Sequence, residues 1–168
     1  MIHPEHLRRY VIEPTLQRLG LDSEAAVMLL LGTAAVESRL GLWLRQLGGG
    51  PARGIYQMEP ATHDSLWKEY LIYRTDDLAA RIRTFAAPAC PPVEQLEWNL
   101  AYATAMARVR YLVAPPALPA PTDFYGQAKY WKEWYQRGGE KGRSEGDYVR
   151  CVDDLILQVQ RQRRYPAV

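Results

Sequence analysis

The run Ala25-Ala26-Val27-Met28-Leu29-Leu30-Leu31 carries no charge and continues with apolar residues on nearly every helical face up to Val36. A segment that is apolar all round predicts a helix buried on all sides rather than one lying on a surface. Leu21-Asp22-Ser23 supplies an N-cap ahead of it, Glu24 suits the positive end of the helix dipole, and Gly41 is a natural stop. With about a dozen residues, the run is too short to span a bilayer and long enough for a core helix.

Elsewhere the pattern is amphipathic or broken. Residues 4–19 fit an amphipathic helix, bent or interrupted at Pro14, which lacks the amide hydrogen a helix interior needs. Residues 93–113 predict a second strong helix, with Leu96, Leu100, Ala103, Ala107 and Tyr111 at helical spacing. Shorter helices are expected over 60–71, 76–85 and the aromatic-rich 123–137. Ser144 with Asp147 reads as a capping box that opens a last helix to about residue 163. "APACPP" (87–92) and "APPALPAP" (114–121) are connectors. "RQLGGGPARGIYQMEPATH" (45–63) cannot be regular helix, although its "GIYQM" core is short enough for a strand or hairpin edge. With no internal repeat, the expectation is one mainly α domain over residues 1–168 with a single glycine-rich strand or loop excursion.

Composition changes that picture little. A chain of 168 residues, 48% hydrophobic, buries a real core without staples. A net charge of +2 gives no electrostatic case for a nucleic-acid partner. Cys90 and Cys151 match no metal-ligand spacing and are expected to be free thiols unless the fold brings them together. His3 and His6 flank Glu5 with no third ligand nearby, so no metal and no cofactor is expected. The opening "MIHPEHLRRYVIEP" lacks the apolar core of a signal peptide, which predicts synthesis in the cytoplasm and no membrane insertion.

The charged residue that stands out is Glu37, in the last turn of the oily helix. Apolar neighbours desolvate its carboxylate, and the negative end of the helix dipole repels it. Both favour the protonated form, and a carboxylic acid that keeps its proton near neutral pH can act as a general acid on a glycosidic bond. The plainer alternative is that Glu37 is exposed, or pairs with Arg39 or Arg45.

Taken in order, the motifs resemble a known family. Glu37-Ser38 followed by "GIYQM" (Gly54 to Met58) is similar to the first two motifs of soluble lytic transglycosylases, relatives of goose-type lysozyme. "NLAYATAMARVRYL" (Asn99 to Leu112) resembles that family's helix beginning with Asn and ending in Tyr-Leu. "WYQRGG" (Trp134 to Gly139) stands at the family's Ala-Tyr-Asn-any-Gly motif, with Tyr135 matching and Gln136 in place of the asparagine. The resemblance covers roughly residues 23–140 and is closest to versions carried by tailed bacteriophages. It implies a lysozyme-like domain that cleaves the bond between N-acetylmuramic acid and N-acetylglucosamine in peptidoglycan. Glu37 would be its single acid and base, Ser38 would orient the acid or the substrate, Gln57 would bind sugar, and Tyr135 would hydrogen-bond the acid. The partners implied are peptidoglycan glycan strands and phage tail or baseplate proteins. The location implied is the virion tail, or the host periplasm and cell wall. A hydrolytic muramidase, and a tail protein that keeps this fold without turnover, are the alternatives.

Other residues carry two readings. Glu59 is a second carboxylate for the cleft or the leader of the helix at Pro60, and Asp64 shares the latter excuse one turn on. His63 reads as a surface or capping residue, and Arg108 and Arg110 as ion-paired on a solvated face. Tyr130 and Trp134 belong either to the core or to an aromatic sugar-binding platform.

Overall fold

The computed structural model describes residues 1–136 and 142–157. Among these, seven helices and no strand form a mainly α fold. We label them α1 (residues 4–19), α2 (Glu24–Ser38), α3 (residues 60–73), α4 (Leu78–Arg83), α5 (Leu100–Leu112), α6 (residues 124–135) and α7 (residues 145–157). No described helix is long and apolar enough to cross a membrane.

Helix α2 is the axis of the fold. Every residue from Ala26 to Val36 is buried, and the Ser23 hydroxyl caps the start by accepting from the Ala26 amide at 3.1 Å. Neighbouring helices are keyed to it by polar contacts as well as by packing. Thr33 Oγ1 donates to the Leu29 carbonyl at 2.7 Å, so the Tyr111 hydroxyl of α5, 2.7 Å away, must be the donor to Thr33. On another side α7 lies close enough at Gly32 that a methyl group there would collide with the Tyr148 hydroxyl. Helix α1 runs through Pro14 unbroken. A π turn over Arg8–Ile12, with the Glu13 amide bonded to the Arg8 carbonyl, takes up the register that the missing proline N–H would have left open.

Two expected boundaries move. Helix α2 ends at Ser38 rather than at Gly41, because Arg39 (φ 50°) and Leu40 (φ 57°) have already turned left-handed before Gly41 (φ 79°). The Ala35 and Ala34 carbonyls are met there by the Arg39 and Leu40 amides at 3.0 Å, while Leu40 is fully buried as an anchor. The second strong helix starts at Leu100, not at 93. Asn99 caps it by accepting from the Tyr102 amide at 3.1 Å and holds the Phe85 carbonyl with its own N–H at 2.7 Å, so only a short 3₁₀ turn, Glu94–Leu96, precedes it. The capping box of Ser144 and Asp147 is present, and the expected continuation of α7 beyond residue 157 lies outside the described residues. Cys90 and Cys151 are free thiols.

The glycine-rich excursion is a loop, not a strand. Arg53 and Met58 exchange backbone hydrogen bonds at 3.0 Å in both directions, and a bridge joins Arg45 to Arg53, but pairing goes no further. Gly54 (φ 73°) sits so close to the Leu96 carbonyl that any side chain would clash with backbone. That close approach buries Ile55, Tyr56 and Met58 and turns Gln57 outward with a positive φ of 46°.

Candidate active site

A cleft of about 570 Å³ opens where the C-terminal end of α2 meets the glycine-rich loop. Glu37 forms part of its wall, with Trp43, Gln57 and Glu59 from the loop side, Arg110 from α5, and Tyr135 and Arg143 opposite. The size suits an extended small ligand or a few units of a polymer.

The Glu37 side chain is 12% exposed, enough to reach the cleft and too little to be solvated. Burial raises its pKa from the ordinary 4.5 to about 7. Three groups act against that rise. The Trp131 indole N–H donates to Oε1 at 3.0 Å, Arg143 Nη1 lies 3.8 Å from Oε2, and the Lys132 ammonium adds its charge. Desolvation wins over all three, so a proton is held close to neutrality. Neither cation expected from the sequence is the partner, since Arg45 is paired with Glu97 at 2.9 Å and the charge beside Glu37 comes from Arg143.

Helix α6 delivers two of the groups at the wall. Asp123 caps it by accepting from the Gly126 amide at 2.8 Å, and its last turn, Trp131–Tyr135, is π-helical. Residues 131 and 135 share one helix face, which aims Trp131 at Glu37 and Tyr135 at the cleft. The expected bond between Tyr135 and the acid is not made: the Tyr135 hydroxyl donates to the Tyr56 carbonyl at 2.9 Å, and its ring packs on Tyr111 with centroids 5.1 Å apart. Trp131, fully buried, takes the role expected of the tyrosine.

Of the two roles expected of Ser38, contact with the substrate is ruled out by burial. Ser38 is completely buried and cannot touch a ligand. Its hydroxyl donates to the Ile55 carbonyl at 2.6 Å and accepts from the Gly41 amide at 2.8 Å, so it ties the loop to the end of α2. Gln57 does line the cleft, with one amide N–H tied back to the Gly54 carbonyl at 2.8 Å. Glu59 lines it too. It occupies the N-cap position of α3, where the helix dipole favours an acid, without a side-chain capping bond.

Neither Tyr130 nor Trp134 lines the cleft, and of their two readings the core one holds. Tyr130 is buried with its hydroxyl on the Pro116 carbonyl at 3.0 Å, and Trp134 packs against the core. The aromatic that lines the cleft from the loop is Trp43, whose indole N–H donates to the Glu37 backbone carbonyl at 3.1 Å. Two further expectations fail by burial. His63 is buried between Asp64 (Nδ1 to Oδ1, 3.0 Å) and the Tyr102 hydroxyl (2.8 Å), and desolvation lowers its pKa. Arg108 is buried on α5, with its pKa lowered by the same cause, while Arg110 reaches the cleft.

No family model matches the sequence, and no curated protein or solved structure matches it. A carboxyl poised near pH 7 in a cleft edged by amides, two guanidinium groups and an indole can give a proton to a bound ligand and take one back.

Proposed function

We propose that the chain is a peptidoglycan-cleaving lytic transglycosylase of the lysozyme-like kind, with Glu37 as its single acid and base. The observation that carries this reading is the Glu37 carboxyl: buried, raised to about 7, and still open to a cleft of polymer-binding size. General acid catalysis is most effective when the acid's pKa lies near the working pH.

In this mechanism protonated Glu37 donates its proton to the glycosidic oxygen as the bond to the muramyl C1 breaks. The acetamido oxygen of the same sugar steadies the positive charge at C1. The Glu37 carboxylate then takes the proton of the sugar's 6-hydroxyl as that oxygen bonds to C1. The products are a 1,6-anhydro end and a free 4-hydroxyl, the acid recovers its proton, and no water is consumed. The tethered hydroxyl has a large effective molarity over water. The virion tail is the setting we propose for it, on the resemblance of its motifs to phage-borne domains.

Glu59 supports a second reading, because it lines the same cleft and would serve as the base of a two-carboxylate hydrolase. Digestion of purified peptidoglycan separates the two. Glu37→Gln should reduce release of soluble fragments by roughly 10²-fold or more. Glu59→Ala should lose far less, with anhydro ends one water lighter than hydrolysed ends in the mass spectrum. Reducing ends alone, with both variants equally damaged, would establish the hydrolase. Clearing by Glu37→Gln at the wild-type rate would refute both.

A further inference from the structure

Arg143 stands just ahead of α7, its backbone carbonyl held by Lys132 Nζ at 2.9 Å. Its Nη1 donates to the Val36 carbonyl and lies 3.8 Å from Glu37 Oε2, while the guanidinium faces the Trp43 ring at 5.7 Å. A 3.8 Å separation is a charge contact and not a hydrogen bond. Among the described residues Nε and Nη2 donate to nothing, and the side chain is 38% exposed where it lines the cleft. A guanidinium offers its donors as a planar fork matched to the two oxygens of a carboxylate. Here one nitrogen is engaged by the protein and the remaining edge has no acceptor among the described residues. The indole and the backbone anchor hold that edge in place, so little ordering is left for a ligand to impose.

We propose that Arg143 is the carboxylate-binding residue of this cleft, turning its unengaged N–H edge to a carboxylate borne by the glycan. The inference rests on the reading of the cleft as a glycan site. The acids of such a polymer are the lactyl carboxylate of the muramyl sugar and the carboxylates of any attached peptide, and both present the same chemistry to the guanidinium. Because Nη1 already neighbours Glu37, a carboxylate on the outer edge sits one guanidinium width from the acid. The sugar presented to Glu37 is then the one that carries the acid. That selects which of the two alternating glycosidic bonds is cleaved, a choice that amides alone do not make on sugars with identical acetamido groups.

The test is binding by the Glu37→Gln protein, which cannot consume its ligand. Three probes are titrated: peptide-free strands bearing the lactyl carboxylate, the same strands with that group converted to a carboxamide, and peptide-bearing strands. The expected result is an affinity about tenfold higher for a carboxylate-bearing strand than for the carboxamide, as for a charge-assisted bond in a half-exposed site. Added salt should weaken the preference. It should vanish in Glu37→Gln/Arg143→Gln, shrink in Glu37→Gln/Arg143→Lys, which keeps the charge and loses the fork, and survive Glu37→Gln/Arg110→Gln. A preference confined to the peptide-bearing strands and lost with Arg143 supports the proposal and names the peptide as the source. A preference that survives Arg143→Gln or follows Arg110, or no preference in any arm, overturns it while the glycan reading stands. Binding of none of the probes overturns both.

Discussion

Glu37→Gln carries a stability prediction that needs no substrate. In the folded protein the carboxyl keeps its proton to about pH 7, whereas in the unfolded chain it ionises at its ordinary 4.5. Between those values the native state holds a proton that the unfolded state has lost, so stability falls as pH rises. At about 1.4 kcal/mol per pH unit, the difference amounts to about 3 kcal/mol, fully present below pH 4.5 and gone above pH 7. Glutamine has no proton to lose and escapes this penalty. Its carbonyl can still accept from Trp131, and its new N–H, which faces Arg143, imposes a cost that does not vary with pH. The stability of Glu37→Gln relative to wild type should therefore improve by about 3 kcal/mol between pH 4 and pH 9. Urea unfolding at both pH values measures it, and every other titrating group cancels in the comparison. A difference that stays flat would mean that Glu37 is an ordinary solvated carboxylate and no general acid near neutral pH.

Three further substitutions test the frame around the acid. Trp131→Phe removes the donor that favours ionised Glu37, so the alkaline limb of activity should rise from near pH 7 by about one pH unit, read from the pH profile of turnover. Ser38→Ala leaves the Ile55 carbonyl and the Gly41 amide unmet and should cost about 1–3 kcal/mol in urea unfolding, with KM unchanged because Ser38 touches no ligand. Gly54→Ala drives a methyl group into the Leu96 carbonyl at a positive φ, and should lower the melting temperature and abolish turnover together as the loop leaves the cleft.

The legible parts of the fold were those whose causes lie within a few residues. Ser23 and the Ser144–Asp147 box each satisfy amides within one turn, and the burial of α2 follows from its own composition. The place of Glu37 at the buried end of that helix was legible for the same reason. The errors lie where a distant group decides. Gly41 was the better left-handed residue by propensity, yet the turn starts at Arg39 because burying Leu40 outweighs the local preference. Tyr130, Trp131, Trp134 and Tyr135 form one aromatic cluster in sequence, and only the register of the π turn decides which of them meets the acid. Ser38 follows the acid directly, which suggested shared chemistry, but successive helical residues point about 100° apart, and that rotation carries Ser38 into the core.

The environment that raises the Glu37 pKa is not a property of α2 alone. Its hydrogen-bond donor lies 94 residues away, and Lys132 and Arg143 belong to the same late part of the chain. The isolated helix would leave the carboxylate wet and only mildly disfavoured by the dipole. Docking α6 and α7 removes the water, which pushes the acid up by more than the indole and the two cations pull it down. These groups moderate the effect of burial without neutralising it: a full salt bridge in place of the 3.8 Å contact would hold the carboxylate ionised and inactive as an acid. The same loose contact leaves the Arg143 fork open to the cleft. The distance that limits how far Arg143 lowers the Glu37 pKa is therefore also what, on the proposed reading, leaves Arg143 to meet a ligand.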